Sequence, residues 1–240
     1  MNGPVLEVEG LEAWYGAAKI LFGLSLNVGR GEAVALLGRN GAGKSTTMKA
    51  IMGLVQRRAT RLAFQSRPIG ALPTYEIARL GVGYVPEDRR IFTDLTVAEN
   101  LDLGRRTAPA TGPDAPPLWT LDALFALFPN LTDMQDRLGG QMSGGEQQML
   151  SMARTLIGNP ALLLLDEPSE GVAPIIVEQM ITAIRALKAR GLSILISEQN
   201  FAVCEEICDR AYVIDQGELR WSGPMNEVRT AEVAKLSLTI

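Results

Sequence analysis

With 240 residues, 47% of them hydrophobic and 21% charged, the chain has the composition of an ordinary globular protein and can bury roughly 70–75% of the surface its unfolded form exposes. A net charge of −4 argues against a protein whose main business is coating nucleic acid, and two cysteines with no histidine argue against a zinc centre or a disulfide framework. No apolar run approaches the ~18 residues of a membrane span, and Met1–Gly10 is polar and alternating, unlike a signal peptide, so a reducing cytosol is expected and any membrane association runs through a partner.

In chain order, Val5–Glu9 alternates and predicts a strand, and Leu24–Val28 predicts a second, ended by Gly29-Arg30-Gly31. Ala33–Leu37 is continuously apolar, as suits a strand buried on both faces. A glycine-rich loop follows, then a helix from about Lys44 to Met52. Gly83–Val85, Leu162–Leu165, Ser193–Ile196 and Ala211–Ile214 are further short apolar runs. Val177, Met180, Ile181, Ile184 and Leu187 keep the three-four spacing of one buried helix face, with Gly191 in a C-cap position. Alternating buried strands and helices predict an α/β fold with a mainly parallel sheet. Between Thr96 and Ile157 the patterns are helical, at Thr96–Gly104, Leu118–Phe128 and Gly144–Ile157, which makes residues 96–157 an inserted helical lobe. Residues 1–95 and 158–240 form the α/β core around it, in one domain spanning 1–240. Thr107–Pro117, rich in Pro and small residues, reads as an exposed loop, and the tail as a hairpin turning at Gln216-Gly217, then a short helix near Met225–Arg229. Cys204 and Cys208, one helical turn apart, read as small apolar core residues.

Three motifs carry chemistry. Gly38-Arg39-Asn40-Gly41-Ala42-Gly43-Lys44-Ser45-Thr46 fits G-x-x-x-x-G-K-[ST] between a buried strand and a helix. Small residues let successive N–H groups turn inward around a β-phosphate, and the helix N-terminus adds its positive end. Lys44 places a charge on the β/γ oxygens, and the Ser45 hydroxyl reaches Mg²⁺. Second, Leu162–Leu165 delivers Asp166, Glu167 and Pro168 at a strand's C-terminal end, where open α/β sheets bind ligands. Asp166 is placed to hold Mg²⁺ through water, and Glu167 to polarise the attacking water. Third, Ser143-Gly144-Gly145-Glu146 opens a helix: a hydroxyl, two glycines and a helix N-terminus make a second anion site. One nucleotide cannot be gripped by both loops of one subunit if the lobe stands away from the first loop; two subunits facing head to tail solve this.

Together these segments resemble the ATP-binding subunit of an ABC transporter over almost the whole length. The resemblance extends to Tyr15, at the place of an aromatic that stacks on adenine, to Tyr84-Val85-Pro86-Glu87, which joins core to lobe, to the dimer-contact loop Ser169–Pro174, and to Ser197-Glu198-Gln199-Asn200 at the switch position. It implies a RecA-like P-loop core with an N-terminal antiparallel β subdomain, ATP and Mg²⁺ as cofactors, and ATP-driven dimer closure that powers transport. The partners it implies are a second ATP-binding subunit, in a heterodimer or a homodimer, transmembrane permease subunits and, indirectly, a periplasmic binding protein, with no nucleic acid. The place it implies is cytoplasmic, on the inner face of the bacterial plasma membrane. Residues 86–92, 169–174 and 198–200 are similar to the branched-chain amino acid import ATPase that lacks the switch histidine; urea and short-amide importers share much of this pattern. A soluble ABC ATPase acting on DNA or ribosomes would carry two such domains or a coiled-coil insertion. A GTPase would carry Asn-Lys-x-Asp, which is absent.

Two departures from the superfamily pattern bear on the site. Glu87 stands where many members have Gln; as a third metal-facing group beside Ser45 and Asp166 it adds negative charge near Asp166 and Glu167. Like charges there raise a carboxyl pKa, so Mg²⁺ is expected to matter more than usual for nucleotide affinity. Gln199 stands where many have His; it carries no positive charge but can still hydrogen-bond a phosphate or position water. Finally, Gln56–Pro68 carries Arg57, Arg58, Arg61 and Arg67, with Thr60 and Ser66 near glycine positions of relatives. It reads as a solvated basic loop, with a role near anionic lipid or a partner's acidic face as the alternative.

Overall fold

The computed structural model describes residues 3–105 and 118–232. Its strands are β1 (Leu6–Tyr15), β2 (Ala18–Val28), β3 (Ala33–Leu37), β4 (Gln56–Arg58), β5 (Arg61–Phe64), β6 (Arg67–Pro68), β7 (Val82–Val85), β8 (Leu162–Asp166), β9 (Ser193–Glu198), β10 (Arg210–Asp215) and β11 (Glu218–Pro224). Its helices are α1 (Lys44–Ile51), α2 (Thr74–Leu80), α3 (Val97–Gly104), α4 (Leu121–Leu127), α5 (Pro129–Thr132), α6 (Gly144–Leu156), α7 (Pro174–Ala189) and α8 (Phe201–Ile207). The proposed loop Thr107–Pro117 lies outside the described residues.

Two sheets organise the chain. The six-stranded sheet runs β11-β10-β3-β9-β8-β7, parallel except for the β10–β11 hairpin. The antiparallel sheet runs β2-β1-β5-β6, with β4 also paired to β1. Alternation along the buried strands builds two cores from the same residues. Ala33, Ala35 and Leu37 face one, with α3–α8; Val34 and Leu36 face the other, with α1, α2 and the antiparallel sheet. Residues of α3, α4, α5 and α6 share their core with that sheet face and with α7 and α8.

Local rules place most boundaries. Thr96 caps α3 and Ser143 caps α6, each in a capping box with the glutamate three residues on. Gly191, at φ 85°, closes α7 as the C-cap position predicted. The predicted Leu118–Phe128 helix begins later, because Thr120 is its cap and accepts from Ala123 N at 3.2 Å. Both N-terminal strands run longer than their alternation implies. Gly10 (φ 60°) and Gly23 (φ 81°) sit at irregularities that break the two-residue period without ending the pairing. The tail turns at Gln216-Gly217 and ends in a 3₁₀ turn, Met225–Glu227.

The basic segment differs from its reading. Gln56–Pro68 is not a loop but three short strands, with the Gln65-Ser66 turn in the left-handed conformation that favours glycine. Two of its exposed arginines are paired, Arg58 with Glu12 and Arg61 with Glu7 at 2.7 Å, and Arg67 is exposed. Arg57 is half-buried and donates to the carbonyls of Ala50, Ile51 (2.8 Å), Ile69 (2.8 Å), Gly70 (3.1 Å) and Leu72 (3.1 Å). One guanidinium thus closes the C-terminus of α1 and ties it to the following loop. Arg57→Ala is expected to destabilise the protein by about 2–4 kcal/mol, read as a lower urea midpoint at constant slope. Exposed Arg58→Ala is expected to change stability by less than about 1 kcal/mol.

Candidate functional site

The C-terminal ends of β3, β8 and β9 meet at one edge of the parallel sheet, and the loop after β3 lies over them. Gly41 (φ 78°) and Gly43 (φ 109°) adopt backbone that favours glycine, and a Cβ on Gly43 would stand 2.9 Å from Leu21 Cδ2 of the β1–β2 hairpin. Gly217 N, in the β10–β11 turn, donates to Ala42 O at 2.8 Å and fastens the loop from the other side. Lys44 is buried and donates back to Gly38 O (2.7 Å) and Arg39 O (3.0 Å), holding the loop closed on itself. Thr46 is buried and Ser45 half-buried at the start of α1; Asn40 and Arg39 are exposed.

Asp166 is fully buried. Its Oδ1 accepts from Ser197 Oγ (2.8 Å) and its Oδ2 from Tyr84 O–H (3.0 Å). Burial and the neighbouring Asp166 charge push the Tyr84 phenol far above its usual range, which keeps it a donor. Glu167 follows with φ 46°, a left-handed conformation, and its N–H is satisfied by Ser197 O at 3.0 Å and Ser197 Oγ at 3.1 Å. The turn aims its carboxylate at the glycine-rich loop. Glu167 Oε1 lies 3.1 Å from Lys44 Nζ, and Oε2 accepts from Gln199 Nε2 at 2.8 Å. Lys44 at the N-terminus of α1 and Glu167 and Gln199 just past β8 and β9 are therefore linked in one chain, by an ion pair and a hydrogen bond.

Two more carboxylates border it. Glu198, 2% exposed, accepts from Ser169 N (3.0 Å) and Asn200 N (3.4 Å). Burial raises its carboxyl above the usual range, and the Glu167 charge adds to this. Glu87, just after β7, is raised by partial burial and by the charges of Glu167 and Asp166, in the direction expected from its sequence position. The oxygen set of Ser45, Asp166 and Glu87 suits Mg²⁺, which binds through one or two carboxylates plus phosphate oxygens rather than in a protein cage. Among the described residues there is no group of three or more acidic, His or Cys side chains forming such a cage.

Tyr15 ends β1 at a turn completed by Gly16 (φ 57°) and is 47% exposed, a free aromatic face on the hairpin that touches the glycine-rich loop. Ser143–Glu146 stands elsewhere. Ser143 Oγ accepts from Glu146 N (3.4 Å), and Glu146 Oε2 accepts from Ser143 N (2.6 Å). Gly145 is packed under Ile176, where a Cβ would come within 2.9 Å. Helix α6 packs on α3, α5, α7 and β7, whereas α1 packs on β8, β9, β1 and β2. Among the described residues no hydrogen bond or ion pair joins Ser143–Glu146 to the loop Gly38–Thr46. The structure thus gathers Lys44, Asp166, Glu167 and Gln199 and leaves Ser143–Glu146 apart. Sequence reasoning named Tyr84 and Ser197 only as members of larger segments and Gly217 only as a hairpin turn, and it missed their bonds to Asp166 and to the glycine-rich loop. Glu198 carried a usable signal, an acid at the end of a buried strand beside Asp166 and Glu167.

The ABC transporter family model matches residues 21–170. The high-affinity branched-chain amino acid transport ATP-binding protein BraG of Pseudomonas aeruginosa is 39% identical over 215 residues, 90% of this chain and 91% of that protein. The lipopolysaccharide export system ATP-binding protein LptB of Haemophilus influenzae is 35% identical over 235 residues, 96% of this chain and 95% of that protein. Among solved structures, the ADP conformation of the ATP-binding cassette MJ1267 superposes with a TM-score of 0.80 at 26% identity, covering 99% of each chain. The chain belongs to the ABC transporter family as one of its ATP-binding, ATP-hydrolysing domains.

The raised carboxyl of Glu198 has a pH signature. The folded protein retains a proton there that the unfolded chain, titrating near the usual ~4.3, has released, so this group lowers stability as pH rises through the window above that value. Glu198→Gln keeps an acceptor for Ser169 N and removes the titration. Its urea midpoint relative to the parent is expected to increase from about pH 4 to about pH 8; a difference that is flat or falls with pH would contradict this.

Proposed function

We propose that this chain is the ATPase subunit of a bacterial importer for branched-chain amino acids and supplies half of each of two composite ATP sites in a dimer. The observation that carries the reading is the Glu167 carboxylate, held between Lys44 and Gln199 over the glycine-rich loop. Tyr15 stacks on the adenine, and the N–H groups of Gly38–Thr46 cradle the phosphates. Lys44 leaves Glu167 for the β/γ oxygens, and Glu167, freed on that side and still steered by Gln199, takes the proton of the attacking water. Ser45, Asp166 and Glu87 would hold Mg²⁺, which would supply charge neutralisation at the phosphoryl oxygens.

The second half of each site is Ser143–Glu146 of the facing subunit. The separation of α6 from α1 supports this, because one chain's signature turn has no contact with its own P-loop. ATP then bridges two subunits, and hydrolysis releases them. The partner is a second ATP-binding subunit, in a heterodimer or a pair of copies. A groove of about 350 Å³ beside the Glu87–Phe92 segment, lined among others by Leu54, Tyr84, Pro86, Arg90 and Arg154, receives a helix of a permease subunit. Among the described residues no helix is long and apolar enough to cross a membrane, so attachment to the inner face of the plasma membrane runs through that permease.

The substrate assignment rests on the segments 86–92, 169–174 and 198–200 and on the likeness to BraG. The likeness to LptB favours an export role as the second reading, and a urea or short-amide importer is the third. Expression in place of the ATPase subunit of a branched-chain amino acid importer, in a strain lacking leucine uptake for want of that subunit, separates them, since only the first reading restores leucine accumulation. For the chemistry, Glu167→Gln is expected to cut hydrolysis by about 100-fold or more while ATP·Mg²⁺ drives dimers that persist. Hydrolysis at the parent rate in Glu167→Gln would remove the assignment.

A further inference from the structure

Arg89 and Arg90 are consecutive non-glycine residues in left-handed conformation, at φ 62° and 47°. Such backbone is unfavourable for side-chain-bearing residues and persists only where surroundings impose it. Helix α6 imposes it here. Ser151 Oγ donates to Arg89 O at 2.8 Å, and Arg154 Nη2 donates to Arg90 O at 2.7 Å and to Arg89 O at 3.4 Å. The conformation lays the half-buried Arg89 side chain against the first residue of α6. A Cβ on Gly144 would stand 2.8 Å from its Nη1, 3.0 Å from Nη2 and 3.1 Å from Cζ.

That placement is electrostatically odd. The first turn of a helix already carries positive partial charge, so a guanidinium pressed on it is unfavourable without an anion between them. Among the described residues Arg89 has no carboxylate partner and its guanidinium makes no hydrogen bond, whereas Arg90 beside it is paired with Asp88 at 2.9 Å. A second group on the same helix face is also unsatisfied. Gln148, 2% exposed and one turn after Gly144, has no partner for either amide atom. Helical side chains lean toward the N-terminus, which directs Gln148 to the same turn. A buried amide left unpaired calls for a partner that completes it.

We propose that Arg89 is a further residue of the half-site this chain offers a neighbouring subunit: its guanidinium binds the γ-phosphate of the nucleotide held by the facing P-loop, beside Ser143 and Gly144. The inference rests on the composite-site reading above. It also gives the Glu87–Arg90 segment two ends, one at the chain's own metal-binding carboxylates and one at the turn that grips the opposite nucleotide.

The test uses Glu167→Gln chains, in which dimers accumulate, titrated with ATP·Mg²⁺ and followed by sedimentation. Adding Arg89→Met, which keeps length and removes charge, is expected to weaken ATP-driven association by about tenfold or more. Arg89→Lys is expected to recover much of it, and both variants to melt with the parent. Undiminished association of the Arg89→Met chain, or equal loss in Arg89→Met and Arg89→Lys, would overturn the role of Arg89 alone. Failure of the Glu167→Gln parent to associate with ATP would overturn the composite site itself, and this inference with it.

Discussion

Three carboxylates, Asp166, Glu167 and Glu198, are buried at the adjoining ends of β8 and β9, and Lys44 is the ammonium that stands against them. Burying like charges is costly unless each is paired or hydrogen-bonded, and the surrounding structure meets that demand group by group. Tyr84 and Ser197 satisfy Asp166, Lys44 and Gln199 satisfy Glu167, and the backbone of Ser169 and Asn200 satisfies Glu198. Parallel pairing makes this possible, because register sets Asp166 beside Ser197 and Leu37 beside Glu198. The folded chain thus holds an excess of negative charge, with Glu87 adding to it, in front of a loop shaped for phosphate. A divalent cation would offset both that charge and the charge of a polyphosphate in the loop.

The same sheet separates the two halves of the chemistry. One face packs on α1, whose N-terminus carries the phosphate loop; the other shares its core with α6, whose N-terminus carries Ser143–Glu146. On the proposed composite-site reading, a second subunit supplies what two helix N-termini on opposite faces of one sheet do not bring together in one chain. The segment after β7 leaves the sheet beside the carboxylate edge and runs against α6, which anchors its strained Arg89-Arg90 backbone through Ser151 and Arg154.

Much of this was legible in the residues. Continuous apolar runs such as Ala33–Leu37 and Leu162–Leu165 gave buried parallel strands, and the groups at their ends gave Lys44, Asp166 and Glu167. Gln199 was placed by its position after β9, but its bond to Glu167 depends on which strands are neighbours, which no local pattern encodes. The strands around Gly10 and Gly23 were read short because bulges interrupt alternation while pairing continues. In the basic run 56–68, Arg58, Arg61 and Arg67 are exposed as their charge suggests, but the backbone pairs as strands and Arg57 finds five carbonyls supplied by α1 and the 69–72 loop, which no local pattern encodes. Helix α2 escaped notice because only Ile77 of its seven residues is buried, leaving no periodic stripe.

The claim on which the account turns is that this acidic strand edge is built for a nucleotide with its cation. Calorimetric titration of ATP into the parent and into Glu87→Gln, each with and without Mg²⁺, tests it directly. The parent's affinity is predicted to depend on Mg²⁺ about tenfold more strongly than that of Glu87→Gln, which lacks one of the repelling carboxylates. Equal Mg²⁺ dependence in the two proteins would contradict the account.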